Sequence, residues 1–299
     1  MKLIASDLDG TLLDENGLVS EENAAAIKKA IDHGIEVVIA TGRSFGAANL
    51  PLRHAGLSTP IISLNGANTY TAEKELLRDV PMHESQVQMV YEECRKHDLY
   101  FEVFTNKGVF STNREHFLGV MLDILKSANP NKPEEELRKT AELRFQYENV
   151  AFIENYDDIF SRKDISVYKI LAFSMEKSKL HHVHKQLINE KNMAITSSGD
   201  INIEFNNTAA QKGVALEEYA KNLGIEMKDI MAIGDNLNDA SMLKAAGRSV
   251  AMGNATDEIK NLCDFTTKQN TENGVAFAIE EVLADLGIKK VNSEGQSYS

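Results

Sequence analysis

The stretch IEVVIA, residues 35–40, constrains the fold more than any other part of this 299-residue chain. It is a near-continuous β-rich run that stops abruptly at Thr41-Gly42-Arg43. A strand apolar on both faces must be covered on both, which is the habit of parallel sheets flanked by helices. Leu3–Ser6, Pro60-Ile-Ile-Ser-Leu and Asp229–Ile233 have the same character. Between the first two runs, Ser20 precedes two glutamates in the manner of a helix N-cap with first-turn acids. Ala24, Ile27, Ala30 and Ile31 follow at helical spacing, and Gly34 ends the helix. The sequence therefore predicts an α/β chain: a Rossmann-like, three-layer core around a central parallel sheet.

The pattern changes after Pro81. Residues 84–98 read as a helix. Tyr100–Phe104 and Gly108–Ser111 read as alternating strands. A long helical region spans 114–145, interrupted at Pro130 and Pro133. Ile165–Phe173 is a further strand, Lys177–Lys191 a helix, and two strands follow around 193–205. Mixed hairpins and helices of this kind predict a separate α+β unit inserted after the third core strand. The expected division is 1–83 with 207–299 for the core and 84–206 for the insertion. Core character then returns in a helix at Gly213–Leu223, the strand at 229–233 and a helix at Ala240–Ala246. Short strands at Ser249–Met252 and Phe265–Thr267 follow, then a closing helix at 274–286. The polar tail from Lys289 is expected to fray.

Four features fall at the C-terminal ends of core strands: Asp7-Leu8-Asp9-Gly10-Thr11, Thr41-Gly42-Arg43, Lys212-Gly213 and Gly234-Asp235-Asn236-Leu237-Asn238-Asp239. Ligands of open α/β sheets bind at those ends, where the strand order reverses. If the strand at 229–233 returns beside Leu3–Ser6, the switch point brings Asp7 and Asp9 close to Asp235 and Asp239. Each piece has an ordinary reading. Asp-Gly is a common turn pair, Lys212 alone reads as a surface lysine, and Asp235 and Asp239 suit a helix N-terminus. Together the ordinary readings fail, because four crowded carboxylates repel strongly at low dielectric. A divalent hard cation resolves the crowding. Magnesium takes oxygen ligands and needs few carboxylates, whereas zinc would call for His or Cys. With magnesium and Lys212 the site can receive a phosphate. In phosphoryl transfer an aspartate can serve as nucleophile and a second carboxylate as acid and base.

DLDGTLL, TGR, a lysine before glycine and GDNLND, in that order, resemble the haloacid dehalogenase superfamily. More narrowly they are similar to its Cof-type phosphatases, which carry a large α/β cap inserted between the second and third motifs. ISLNGA ending at Ala67, and MLKAAG with SVAMGNA at 242–255, extend the likeness across nearly the whole chain. The resemblance implies that Asp7 is the nucleophile and Asp9 the general acid and base. It implies that the Asp7 carboxylate, the Asp9 carbonyl and Asp235 bind the metal. Thr41, Gly42, Arg43, Lys212 and Asn238 are implied on the substrate side, with Gly10, Asn65 and Asp239 in support. The expected activity is magnesium-dependent hydrolysis of a small phosphorylated metabolite through an aspartyl-phosphate. Candidates are a sugar phosphate, pyridoxal phosphate, flavin mononucleotide or a phosphorylated riboflavin precursor. A phosphotransferase or mutase, or an idle phosphometabolite sensor, are the competing readings. The loop Asn206–Gln211 lacks the Ser, Pro and Gly usual before the lysine in this branch, which loosens any carry-over of substrate identity.

The net charge of −13 opposes non-specific binding to nucleic acid. No run is long enough to span a membrane, no signal-peptide pattern opens the chain, and a cytoplasmic enzyme is expected. Cys94 and Cys263 suit packing better than metal binding or catalysis. His181, His182 and His184 fall on the polar side of a helix whose apolar stripe is Leu180, Val183, Leu187 and Ile188. Glu134–Glu136 after Pro133 read as first-turn helix acids.

Overall fold

The computed structural model of the chain describes residues 1–115, 118, 119, 122, 126, 132–197 and 201–288. The expected break at Pro130 and the tail from Lys289 lie outside them. The chain divides into two compact units, Met1–Arg78 with Gln211–Ser299, and Asp79–Ala210. Both joints fall a few residues from those read off the sequence. The first joint falls at the end of the strand Leu76–Asp79, and the second follows the strand Asn202–Asn207.

The first unit is built on an eight-stranded sheet. Its strands in chain order are β1 (Leu3–Ser6), β2 (Glu36–Ala40), β3 (Ile61–Ser63), β4 (Asn68–Tyr70) and β5 (Leu76–Asp79). The second unit holds β6 (Tyr100–Thr105), β7 (Gly108–Ser111), β8 (Val150–Phe152), β9 (Val167–Phe173), β10 (Met193–Thr196) and β11 (Asn202–Asn207). The chain then returns to the first sheet with β12 (Ile230–Gly234), β13 (Arg248–Ala251) and β14 (Phe265–Thr266). The order across the first sheet is β14-β13-β12-β1-β2-β3-β4-β5.

β1 pairs in parallel with both β2 and β12, so the chain reverses its winding at β1. Leu3, Ile4, Ala5, Val38, Ile39, Ile61, Ile230 and Ile233 have essentially no exposed surface. Helices supply the covering layers. Ser20 caps the helix Glu21–Asp32 by accepting from the Asn23 amide, and that helix packs beside Gly274–Asp285. Ser44 caps Phe45–His54 in the same way.

One expectation needs correcting. The second unit does not follow the third core strand directly. A β4–β5 extension comes first, with β4 antiparallel to β3. Its residues hide the signal: Asn68 and Thr69 are polar yet buried, while Leu76 and Leu77 are apolar yet half-exposed.

The second unit carries a six-stranded sheet in the order β10-β11-β9-β6-β7-β8, antiparallel except for β7 with β8. The helices Glu84–Lys96 and Lys177–Leu187 contribute Val90, Cys94, Leu180 and Val183 to a core shared with Phe101, Val103 and Phe205. Ile188, expected in that apolar stripe, is exposed because the helix ends at Leu187. His181 and His182 are exposed on the same helix. Burial pushes the Cys94 thiol far above its usual range, which suits packing rather than reactivity. Glu134–Glu136 open the helix Glu134–Tyr147 as first-turn acids. Among the described residues no helix is long and apolar enough to cross a membrane.

Candidate active site

β1 delivers Asp7 to the C-terminal edge of the sheet, where its amide donates to the Ile233 carbonyl of β12 at 2.9 Å. The chain then turns at once. Leu8–Leu12 form one wide helical turn, with Asp9 extended and Gly10 at φ +75°. A Cβ at Gly10 would lie 2.6 Å from Asp235 Oδ2, so glycine is required both by the backbone and by the carboxylate beside it. The turn thus seats Asp7 against the end of β12, where Asp235 follows.

Lys212 is the centre of charge. It opens the helix Lys212–Asn222 and has no exposed surface. Its Nζ donates to Asp7 Oδ1 and to Asp239 Oδ1, both at 2.6 Å. The other Asp239 oxygen accepts from the amides of Asp235 and Asn236, each at 3.0 Å, which fixes the 235–239 loop. Thr11 Oγ1 donates to Asp235 Oδ1 at 2.9 Å, tying that loop back to the first turn. One carboxylate oxygen each from Asp7, Asp235 and Asp239 can be drawn from a group lying within 4.8 Å.

Asp7 and Asp239 share one ammonium, with Asp235 close by, and the proton affinities of Asp7 and Asp235 reflect the crowding. Burial and the Asp239 charge push the Asp7 carboxyl well above the usual range, and Lys212 only partly offsets them. Burial and Asp239 also raise Asp235, to about 6. Burial works to lower Lys212, yet Asp239 and Asp7 together hold its ammonium charged beyond the ordinary lysine range. One cation serving two acids explains why Lys212 stays firmly charged while the Asp7 carboxyl still lies above its usual range. A site so rich in carboxylates could also hold a metal cation. Its donors are oxygens only, and the gap at Gly10 leaves Asp235 Oδ2 uncrowded. This chemistry fits a hard divalent ion and not a thiolate- or imidazole-loving one.

The second strand end contributes Thr41, Gly42 and Arg43. Thr41 is buried, its amide bonded to the Ile62 carbonyl at 2.8 Å, and its hydroxyl accepts from the Arg43 amide at 3.2 Å. The guanidinium of Arg43, a residue expected on the substrate side, grips Asp9. Nε donates to Oδ2 at 2.8 Å and Nη2 to Oδ1 at 2.5 Å. Asp9 is half-exposed. Asn238 sits half-buried in the short turn Leu237–Asp239. Asn65 lies behind the site, where its amide donates to the Thr41 carbonyl at 2.9 Å.

Two residues were not singled out from the sequence. Thr11 holds Asp235, and Asn254 donates from Nδ2 to the Gly10 carbonyl at 2.8 Å. Asn254 in turn accepts from the Asn270 amide, while Asn270 Nδ2 donates to the Leu13 carbonyl. The signal for Thr11 was its place inside DLDGT. Asn254 lies inside SVAMGNA, but that stretch does not reveal its partner, which is 244 residues away.

Residues 4–279 match a family model described as haloacid dehalogenase-like hydrolase. The chain is 37% identical to Phosphatase YwpJ of Bacillus subtilis over 95% of this chain and all of that protein. It is 39% identical to the 5-amino-6-(5-phospho-D-ribitylamino)uracil phosphatase YwtE of the same organism, over 95% of this chain and 99% of the relative. Among solved structures, a haloacid dehalogenase-like hydrolase from B. subtilis superposes with a TM-score of 0.87 at 37% identity. That match covers 95% of this chain and the whole of the other.

Proposed function

Because the chain belongs to the haloacid dehalogenase-like hydrolase family, we propose that it is a magnesium-dependent phosphomonoesterase working through Asp7. The observation that carries this reading is the buried cluster in which Lys212 bonds both Asp7 and Asp239 at 2.6 Å while Asp235 completes an oxygen-only group.

Asp7 is the nucleophile. Lys212 on Oδ1 fixes the rotation of the carboxylate and leaves the other oxygen as the attacking atom. That oxygen forms a bond to phosphorus as the ester bond breaks, which leaves an aspartyl-phosphate on residue 7. Asp9 gives its proton to the departing alkoxide. In the second half it takes a proton from the water that attacks phosphorus, releasing orthophosphate and restoring Asp7. Asp9 must give up part of its grip on Arg43 to do this, since both its oxygens are engaged there. Thr41, Gly42, Lys212 and Asn238 hold the phosphoryl oxygens. The Asp7 carboxylate, the Asp9 carbonyl and Asp235 would hold the magnesium ion, which would supply positive charge between an anionic ester and an anionic nucleophile. Asp239 keeps Lys212 charged and anchors the loop that carries Asp235.

The substrate is a small phosphorylated metabolite. The relative at 39% identity is named for 5-amino-6-(5-phospho-D-ribitylamino)uracil, so that ribityl phosphate comes first in a panel with pyridoxal phosphate, flavin mononucleotide and sugar phosphates. The test is orthophosphate release from this panel with and without magnesium. The expected result is magnesium-dependent release by the wild-type protein and none by Asp7→Asn. Release unchanged in that variant, or transfer of the phosphoryl group to another metabolite in place of release, would overturn the proposal.

A further inference from the structure

We infer that Arg78 is a positioning residue that braces the phosphate-binding loop Thr41–Arg43 against the helix carrying Lys212. The inference rests on the phosphatase reading for the meaning of those two segments, but its geometry stands by itself. Behind the site, Leu64, Asn65 and Gly66 run consecutively at φ +50°, +58° and +101°. Three left-handed residues in a row, two of them not glycine, persist only where their surroundings over-determine them. Here all three are buried.

The turn does specific work. The Leu64 amide donates to the Arg43 carbonyl, and the Asn65 amide to the Thr41 carbonyl, both at 2.9 Å. These two bonds span the loop that holds Thr41 and Gly42. On its other side the turn meets the start of the Lys212 helix. A Cβ at Gly66 would lie 2.6 Å from the Gln211 carbonyl oxygen and 3.1 Å from the Ala215 side chain. The turn is therefore a spacer between the two segments expected to grip the phosphoryl group.

Arg78 locks this spacer. It is 6% exposed and reaches inward from β5. Nη1 donates to the Gly66 carbonyl, and Nε donates to Glu218 Oε2 at 2.8 Å on the Lys212–Asn222 helix. One guanidinium thus clamps the turn and the helix together. Its planar fork can satisfy both acceptors at fixed geometry, which a lysine ammonium does not reproduce. Arg78 bonds the turn at the Gly66 carbonyl and the helix at Glu218, so it acts on the site through those two segments.

The experiment compares Arg78→Met, Arg78→Lys and Glu218→Gln with wild type. Amide exchange at Leu64 and Asn65 is followed by NMR, and orthophosphate is used as a competitive inhibitor of hydrolysis. We expect Arg78→Met to speed exchange at both amides about tenfold or more and to raise the orthophosphate inhibition constant about tenfold. Arg78→Lys, which can meet one acceptor but not both, should shift both readouts in the same direction by less. Glu218→Gln keeps an acceptor for Nε and should stay within about twofold of wild type. If Arg78→Met folds poorly, Arg78→Lys decides by the same two readouts. Wild-type protection at Leu64 and Asn65 in folded Arg78 variants would overturn the inference. So would an unchanged orthophosphate constant beside faster exchange. A wild-type protein without hydrolytic activity would sink the phosphatase reading instead, and the exchange data would still judge the brace.

Discussion

Asp235→Asn should stabilise the metal-free protein while abolishing its response to magnesium. Asp235 holds its proton up to about pH 6, against an ordinary value of 3.8, because it is largely buried beside Asp239. Between those two values the folded chain binds more protons than the unfolded one. Stability from this group is therefore highest at low pH and is lost as pH rises through about 6. The gap of roughly two units corresponds to about 3 kcal/mol of destabilisation once Asp235 is ionised. Screening at a partly exposed carboxylate trims this to about 2 kcal/mol. Asparagine removes the charge and retains Oδ1 as acceptor for the Thr11 hydroxyl. In EDTA at pH 7.5 the variant should therefore melt roughly 4 °C or more above wild type in calorimetry. The gap should shrink to roughly half by pH 5 and close only below about pH 3.8, where Asp235 is protonated in both the folded and the unfolded chain. Adding magnesium should reverse the order, because binding stabilises only the protein that retains the ligand. A variant that melts below wild type in EDTA at pH 7.5 would refute the crowding argument. An equal magnesium shift in both proteins would refute the ligand assignment.

The same cluster makes further predictions. Lys212→Met strips the shared ammonium from two buried acids and should cost about 3–5 kcal/mol in metal-free urea unfolding at pH 8, with a smaller loss at pH 5. An equal loss at both pH values would contradict this. Gly10→Ala places a Cβ against Asp235 Oδ2 at positive φ; it should cost about 1–2 kcal/mol and weaken magnesium binding by titration calorimetry. Wild-type magnesium affinity in that variant would count against the assigned seat of Asp235. Asn254→Ala loses the bond to the Gly10 carbonyl and should cost about 1 kcal/mol in thermal unfolding. A wild-type melting curve would show that Asn254 does not pin the turn.

Particular residues show how far the sequence could be read. Leu3–Ser6, IEVVIA and the 229–233 run announce buried parallel strands, since both faces of each are apolar, and the winding order across the sheet follows. β4 and β5 stay hidden because Asn68 and Thr69 are buried while Leu76 and Leu77 are not, which reverses the local pattern. At the site, Asp7, Asp235 and Asp239 are visible as carboxylates that the strand order crowds together, and the expectation of a cation among them follows from charge. Lys212 reads in isolation as a surface lysine. Its complete burial comes from partners 205 and 27 residues distant. The pairing of Arg43 with Asp9 is equally unreadable, because a TGR motif does not reveal which way its guanidinium turns.

The central claim is that Asp7 itself carries the phosphoryl group. The direct measurement uses Asp9→Asn fed with acetyl phosphate, whose leaving group needs no acid but whose aspartyl-phosphate then lacks its base. Quenching with borohydride during turnover reduces an acyl phosphate to the alcohol, and peptide mass spectrometry locates it. Homoserine at position 7, dependent on both acetyl phosphate and magnesium, is the predicted result. An unmodified Asp7 while orthophosphate is being released would contradict it.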